Sequence, residues 1–173
     1  MSANESELFE RIVLPQLDAA YDLARWLAGN DHDAEDIAQE ACVRAFRFLN
    51  GYRGGDARSW VLAIVRNTAY SWLKKNRPQQ IVSVSDDDMA EIEDPKALAG
   101  SFHKADASAL RAAMELLPLE FREALVLREL DGLSYKEIAE IASVPVGTVM
   151  SRLARARRQL QESLARKEQY GMR

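Results

Sequence analysis

The sequence predicts an all-α fold: two small helical domains joined by an acidic linker, the second containing a helix-turn-helix. Three observations carry that expectation. Ala, Leu, Glu and Arg dominate, β-branched runs are almost absent, and only eight glycines and five prolines interrupt 173 residues. Apolar residues recur at three- and four-residue spacing on both sides of an acidic stretch that has no steady period. Near the C-terminus, LSYKEIAEIASVPVGTVMSRLARARRQL reads as two short helices joined by a tight turn.

The first domain is expected over residues 1–78, the linker over 79–105 and the second domain over 106–173. Leu8, Ile12, Leu17, Tyr21, Leu23, Trp26 and Leu27 suit one or two helices that stop at Gly29-Asn30. Asp33 is placed to cap the next helix, where Ala34, Ile37, Ala38, Ala41, Ala45, Phe48 and Leu49 share an apolar face. The loop NGYRGGD, with three glycines in seven residues, leads into a helix from about Ala57 to Asn76 that Pro78 ends. Helices resume near Ala105. One runs to Leu117 ahead of Pro118, and another from Leu119 to Leu130 ahead of Asp131-Gly132.

Composition excludes several function classes. Hydrophobic residues at 47% and charged residues at 29% describe a globular chain. The one cysteine, Cys42, rules out an internal disulfide, and His32 and His103 are too few for a histidine metal site, so no metal or other cofactor is expected. No nucleotide loop or Ser/Cys nucleophile constellation is visible, and the chain is not expected to be an enzyme. The opening MSANESELFERIVLPQL is acidic without a long apolar core, unlike a signal or transit peptide. No stretch approaches the ~20 apolar residues of a membrane span, so no membrane insertion and a cytoplasmic location are expected.

Net charge is −4, which by itself disfavours nucleic acid. The charge is unevenly placed. Residues 1–80 carry −1, residues 81–109 carry −5, and residues 110–173 carry +2. A local basic patch can still hold phosphate when distant charge is screened.

The helix-turn-helix carries the most specific local chemistry. Ser134 and Glu137 form a capping box, each side chain placed to satisfy the other's backbone N–H, and Leu133 and Ile138 sit where a hydrophobic staple belongs. Pro145 suits the first turn of the second helix, where its missing N–H costs nothing. Val146, Val149, Leu153, Ala156 and Leu160 make an inward stripe, with Thr148, Ser151, Arg152, Arg155 and Gln159 expected on the opposite face. Small polar residues followed by arginines suit the major groove, where Arg pairs with phosphate or with guanine edges. Basic residues at a helix end are by themselves only solvated cations. Here the cap, turn and proline coincide with the basic face, and that coincidence points to DNA.

In the first domain, the helix DARSWVLAIVRNTAYSWLKKNRP places Val61, Ile64, Val65, Thr68 and Trp72 on a core face. Ser59, Ala63, Arg66, Asn67, Tyr70, Lys74 and Arg77 fall on the other. Cations interleaved with an aromatic ring and an amide suit single-stranded nucleic acid, whose bases stack and whose phosphates pair. An ordinary amphipathic surface helix is the plain alternative, and Trp60 and Trp72 are expected in the core. The preceding helix turns Asp36, Gln39, Glu40, Val43, Phe46 and Arg47 outward, and apolar residues among charges suggest a docking surface.

DAEDIAQEACVRAF, SWVLAIVRNTAY and LPLEFREALVLRELDGLSYKEIAEIASVPVGTVMSRLARAR, in that order, resemble the extracytoplasmic-function (group IV) sigma factors of the sigma-70 family, from about Glu7 to Leu164. The resemblance implies a core RNA polymerase docking helix at Asp33, Asp36, Gln39, Glu40, Val43 and Phe46, against the clamp of the β′ subunit. It implies minus-ten melting and reading by Asn50, Tyr52, Arg53, Arg66, Asn67, Tyr70 and Lys74. It further implies minus-thirty-five binding by Thr148, Ser151, Arg152, Arg155 and Arg158, with the second domain on the flap of the β subunit. Promoter DNA and an anti-sigma factor would be the other partners, and the acidic linker would thread toward the active-site cleft. Met150 and Ala63 stand where relatives often carry polar or basic residues. A helix-turn-helix regulator would leave the first domain unexplained. A sigma mimic that binds an anti-sigma factor without initiating transcription fits less well with basic faces on both domains.

Overall fold

The structure, a computed structural model, describes residues 2–81 and 106–171, with side chains described as far as Lys167. Among these residues every regular element is helical. They divide into two compact units, one of the described residues up to Ile81 together with Glu140–Ser143, the other of the remaining described residues. Most of the expected linker, including Asp86, Asp87 and Asp88, lies outside the described residues, as does His103.

The first unit begins with α1 (Ala3–Ile12). A capping box starts it: Glu5 N–H donates to Ser2 Oγ, and Ser2 N–H donates to the Glu5 carboxylate at 3.0 Å. These bonds, the one from the Ser2 backbone foremost, hold the Glu5 carboxyl below its ordinary pKa. A 3-10 turn at Leu14–Gln16 leads to α2 (Leu17–Ala28), which ends where Gly29 takes a left-handed φ of +88°. α3 spans Asp31–Arg47, starting two residues before the expected cap. Asn30 is the cap: its Oδ1 accepts from Asp33 N–H at 2.9 Å. After a turn at Leu49–Gly51 and the glycine loop, Asp56 caps α4 (Ala57–Asn76), and a 3-10 turn follows at Pro78–Gln80.

Mutual packing of α2, α3 and α4 forms the core of this unit. Leu23, Ala24 and Leu27 meet Ala34, Ile37, Ala41 and Ala45, with Val61, Leu62, Val65, Thr68, Ala69 and Leu73 of α4 closing the third side. The α4 stripe differs from expectation. Ile64 and Trp72 are half-buried, whereas Leu62, Ala69 and Leu73 are buried. Two partners flank α4, so its buried arc is wider than one stripe and centred elsewhere. Thr68 tolerates burial because its hydroxyl donates to the Ile64 carbonyl at 2.7 Å.

The second unit is built on α5 (Ala107–Glu115), α6 (Leu119–Leu125), the first residues of α7 (Tyr135–Ala142) and α8 (Val146–Gly171). The helix expected to continue regularly to Leu130 instead widens into a π turn over Val126–Leu130. Asp131 N–H donates to the Val126 carbonyl at 3.0 Å, and Leu133 N–H to the Leu127 carbonyl at 3.0 Å. Phe121, Leu125 and Leu127 are buried in this unit, as are Val149, Leu153, Ala156, Leu160 and Leu164 of α8, against which α5 and α6 pack. Each such leucine contributes roughly 1.5–3 kcal/mol relative to exposure.

Candidate docking and nucleic-acid surfaces

The 3.6-residue period of α3 leaves one face wholly outside the core. Asp36, Gln39, Glu40, Val43, Phe46 and Arg47 are exposed there, Val43 at 49% and Phe46 at 37%. Phe46 is braced edge-on by Phe9 of α1, ring centroids 5.8 Å apart, and Glu40 pairs with Arg44 at 3.3 Å. Such a face combines two apolar side chains with a ring of charge and amide, the composition of a protein-docking patch. Asp33 does not belong to it as expected: its carboxylate is half-buried and paired with Arg77. Cys42 is half-buried on the same helix, and burial pushes its thiol above the ordinary pKa.

On α4, one turn of helix brings Arg66 and Tyr70 together. The Arg66 guanidinium lies 3.8 Å from the centre of the Tyr70 ring, and its Nη1 donates to Asn67 Oδ1 at 3.3 Å. Asn67 and Lys74 are exposed beside them. A flat cation stacked on a phenol offers both a π surface and a phosphate partner. Arg77, expected on this face, instead turns toward α2 and α3.

In the glycine loop, Asn50 and Arg53 are exposed, and Gly54 and Gly55 take φ of +88° and +92°, a conformation that side chains resist. Tyr52 is half-buried. Its hydroxyl donates to the Gly55 carbonyl at 2.7 Å and its ring packs on Trp60 at 5.3 Å. Tyr52 therefore holds the loop's shape, and Asn50 and Arg53 are the side chains it presents.

The capping box at the start of α7 is present: Glu137 N–H donates to Ser134 Oγ at 3.1 Å and Ser134 N–H to Glu137 Oε1 at 3.3 Å. Leu133 and Ile138 are both buried at the expected staple. Ser143 makes the turn with a left-handed φ of +57°, and the Pro145 carbonyl starts α8 by accepting from Thr148 N–H at 3.0 Å. Thr148, Ser151, Arg155 and Arg158 are half-buried along α8, with Arg155 5.1 Å from the Phe121 ring centre. Val146, expected inward, is 41% exposed, because the first turn of α8 starts beyond the edge of the core.

The expected exposure of Arg152 is overturned. It is 7% exposed, with Nη2 3.5 Å from Glu120 Oε2 on α6, and Arg157 is likewise buried against Glu129 at 2.7 Å. Helix geometry explains both. Position 152 lies three after Val149 and four before Ala156, and position 157 lies four after Leu153 and three before Leu160, so each borders the apolar stripe. Their partners come from α6 (Glu120) and the π turn after it (Glu129), 32 and 28 residues away in sequence.

His32, Asp33 and Asp36 place ligand-type atoms within 4.8 Å of one another. Asp33 is committed to Arg77 and the group lies on an exposed helix end, which makes it a solvated acidic turn. No described helix is long and apolar enough to cross a membrane.

Comparison with known proteins places these surfaces in context. Residues 13–79 match the pattern described as Sigma-70 region 2, and residues 107–160 that of Sigma-70, region 4. The chain is 37% identical over 160 residues to the ECF RNA polymerase sigma factor SigE of Mycolicibacterium smegmatis, covering 91% of this chain but 62% of that protein, and so spans less than two thirds of it. It is 39% identical over 138 residues to the ECF RNA polymerase sigma-E factor of Escherichia coli K12, covering 72% and 70%. With the RNA polymerase sigma-H factor of Pseudomonas aeruginosa it shares 32% identity over 171 residues, covering 92% and 88%. Among solved structures, the sigma factor RpoE of Bartonella quintana, in complex with the anti-sigma factor NepR, superposes with a TM-score of 0.70 at 28% identity, covering 91% of this chain and 96% of that one.

Proposed function

The chain belongs to the extracytoplasmic-function sigma factors of the sigma-70 family, and from that membership we propose that it binds core RNA polymerase and directs promoter-specific initiation under control of an anti-sigma factor. The observation that carries the reading is the presence, in one chain, of a boxed helix-turn-helix and, on α4 of the first unit, a half-buried Arg66–Tyr70 stack beside the exposed Asn67.

Asp36, Gln39, Glu40, Val43 and Phe46 form the face for the β′ clamp. Asn50, Arg53, Arg66, Asn67, Tyr70 and Lys74 face the minus-ten strand, with Tyr52 shaping the loop. Thr148, Ser151, Arg155 and Arg158 meet the minus-thirty-five duplex, while the second unit seats on the β flap. Each unit alone has few contacts and binds DNA weakly. Once polymerase holds both, binding of one raises the effective concentration of the other. The chain catalyses nothing itself; its chemistry is stacking, phosphate pairing and edge recognition, exercised where transcription takes place, in the cytoplasm. Stacking replaces the energy lost when minus-ten bases leave the duplex, roughly 1–3 kcal/mol per base on an aromatic platform.

Binding of a labelled minus-ten single strand tests the reading. Holoenzyme should bind it tightly, the chain alone weakly, and Tyr70→Ala holoenzyme should lose about fivefold or more, in line with one lost stack. Equal binding by the chain with and without core would remove the proposed role of polymerase.

A further inference from the structure

One guanidinium in the first unit serves three helix ends. Arg77 sits directly after α4, where the backbone leaves helical geometry. Its Nη1 donates to the Ala28 carbonyl, the last of α2, at 2.9 Å. Its Nη2 pairs with Asp33 Oδ2 in the first turn of α3 at 2.5 Å. The guanidinium carbon lies 5.2 Å from the Trp72 ring centre on α4 itself, and Gln80 accepts at 3.4 Å just beyond. Both members of the ion pair are about four-fifths covered, at 23% and 21% side-chain exposure, so water screens it less than an ordinary surface pair.

Each contact suits its place. A helix C-terminus leaves carbonyls without intrahelical donors and favours a cation; a helix N-terminus favours an anion. Arginine alone offers divergent N–H groups and a flat face from one rigid plane.

The rest of the α3 interface makes this fork important. α3 presents Ala34, Ile37, Ala41 and Ala45 to the core, three methyl groups and one larger side chain. Such shallow ridges set the spacing of packed helices more firmly than their rotation. The Arg77 fork supplies an angular restraint at the N-terminal end of α3, while Phe9 braces the other end through Phe46.

We propose that Arg77 is a positioning residue that locks the docking helix α3 to the nucleic-acid helix α4, so that polymerase held by Asp36–Phe46 presents Arg66 and Tyr70 at a fixed angle. The proposal rests on the roles given to α3 and α4 above. Arg77 touches neither partner; it transmits the geometry of one face to the other.

The test uses full-length Arg77→Ala and Arg77→Lys chains with core polymerase, read three ways: unfolding midpoint, affinity for core, and the rate of promoter opening at saturating core, followed by permanganate reactivity of minus-ten thymines. Lysine keeps the charge but reaches only one of the two acceptors at a time. Arg77→Lys is expected to bind core close to the wild-type level yet open the promoter about tenfold more slowly, within the cost of a misplaced reactive geometry. Arg77→Ala should slow opening at least as much. Opening at the wild-type rate by either saturated variant would overturn the proposal, even with a lowered midpoint. Failure of the wild-type holoenzyme to open any promoter would instead remove the sigma-factor reading beneath it.

Discussion

Arg152→Ala separates a structural arginine from a DNA-reading one. In a fully buried pair, deleting one partner costs about 3–5 kcal/mol, and in an exposed pair below about 1. Arg152 lies near the buried limit, with 9% side-chain exposure, but Glu120 is 21% exposed and the closest approach is 3.5 Å. The electrostatic loss should therefore fall between, at about 1–2 kcal/mol, and the apolar stem adds roughly 1 kcal/mol. The second unit should lose about 2–3 kcal/mol, and Arg152→Ala with Glu120→Ala should lose less than the sum of the single changes by about 1 kcal/mol. The chain carries its own controls for a urea titration. Trp26, Trp60 and Trp72 all lie in the first unit, so indole fluorescence follows that unit while far-ultraviolet circular dichroism follows both. The dichroism transition should move and the fluorescence transition should not. Superimposable unfolding curves with a loss of about 1–3 kcal/mol in promoter affinity would refute the reasoning and return Arg152 to the DNA face.

Other perturbations reach separate parts of the account. Leu73→Ala, at a position with no exposure, should cost about 2–5 kcal/mol in the fluorescence transition, and a loss below about 1 would mean that α4 does not bury this face. Ser143→Gly relieves a left-handed φ of +57° in the turn between α7 and α8 and should stabilise the fold by about 0.5 kcal/mol after the added chain entropy; destabilisation would contradict that backbone geometry. Asp36→Arg combined with Gln39→Arg places two cations on the exposed face of α3, which should abolish co-purification with core polymerase while leaving both unfolding transitions in place.

The amphipathic helices were readable because their signals are local. Gly29, Pro78, Pro118 and the Ser134/Glu137 box all act within a turn or two of themselves, and the structure contains the boundaries they mark to within a few residues. The α3 cap was displaced because Asn30 and Asp33 are both competent caps, and only the extended backbone at Asn30 decides between them. Long-range partners were less legible. Arg77 is separated from Ala28 by 49 residues and Arg157 from Glu129 by 28, so no sequence window shows that these guanidinium groups are occupied. Basic residues bordering an apolar stripe look solvent-facing until the neighbouring helix supplies a carboxylate. The π turn was equally hidden, since its wider hydrogen bonds depend on how Asp131 and Leu133 leave α6.

Reconstitution tests the central claim most directly. Purified core RNA polymerase, which alone starts transcription poorly on intact duplex, would be mixed with this chain and genomic DNA, and the transcript starts sequenced. The account predicts a restricted set of starts sharing two upstream elements, absent without the chain and lost with the Asp36→Arg, Gln39→Arg variant. The same starts with and without the chain, or none in either case, would contradict it.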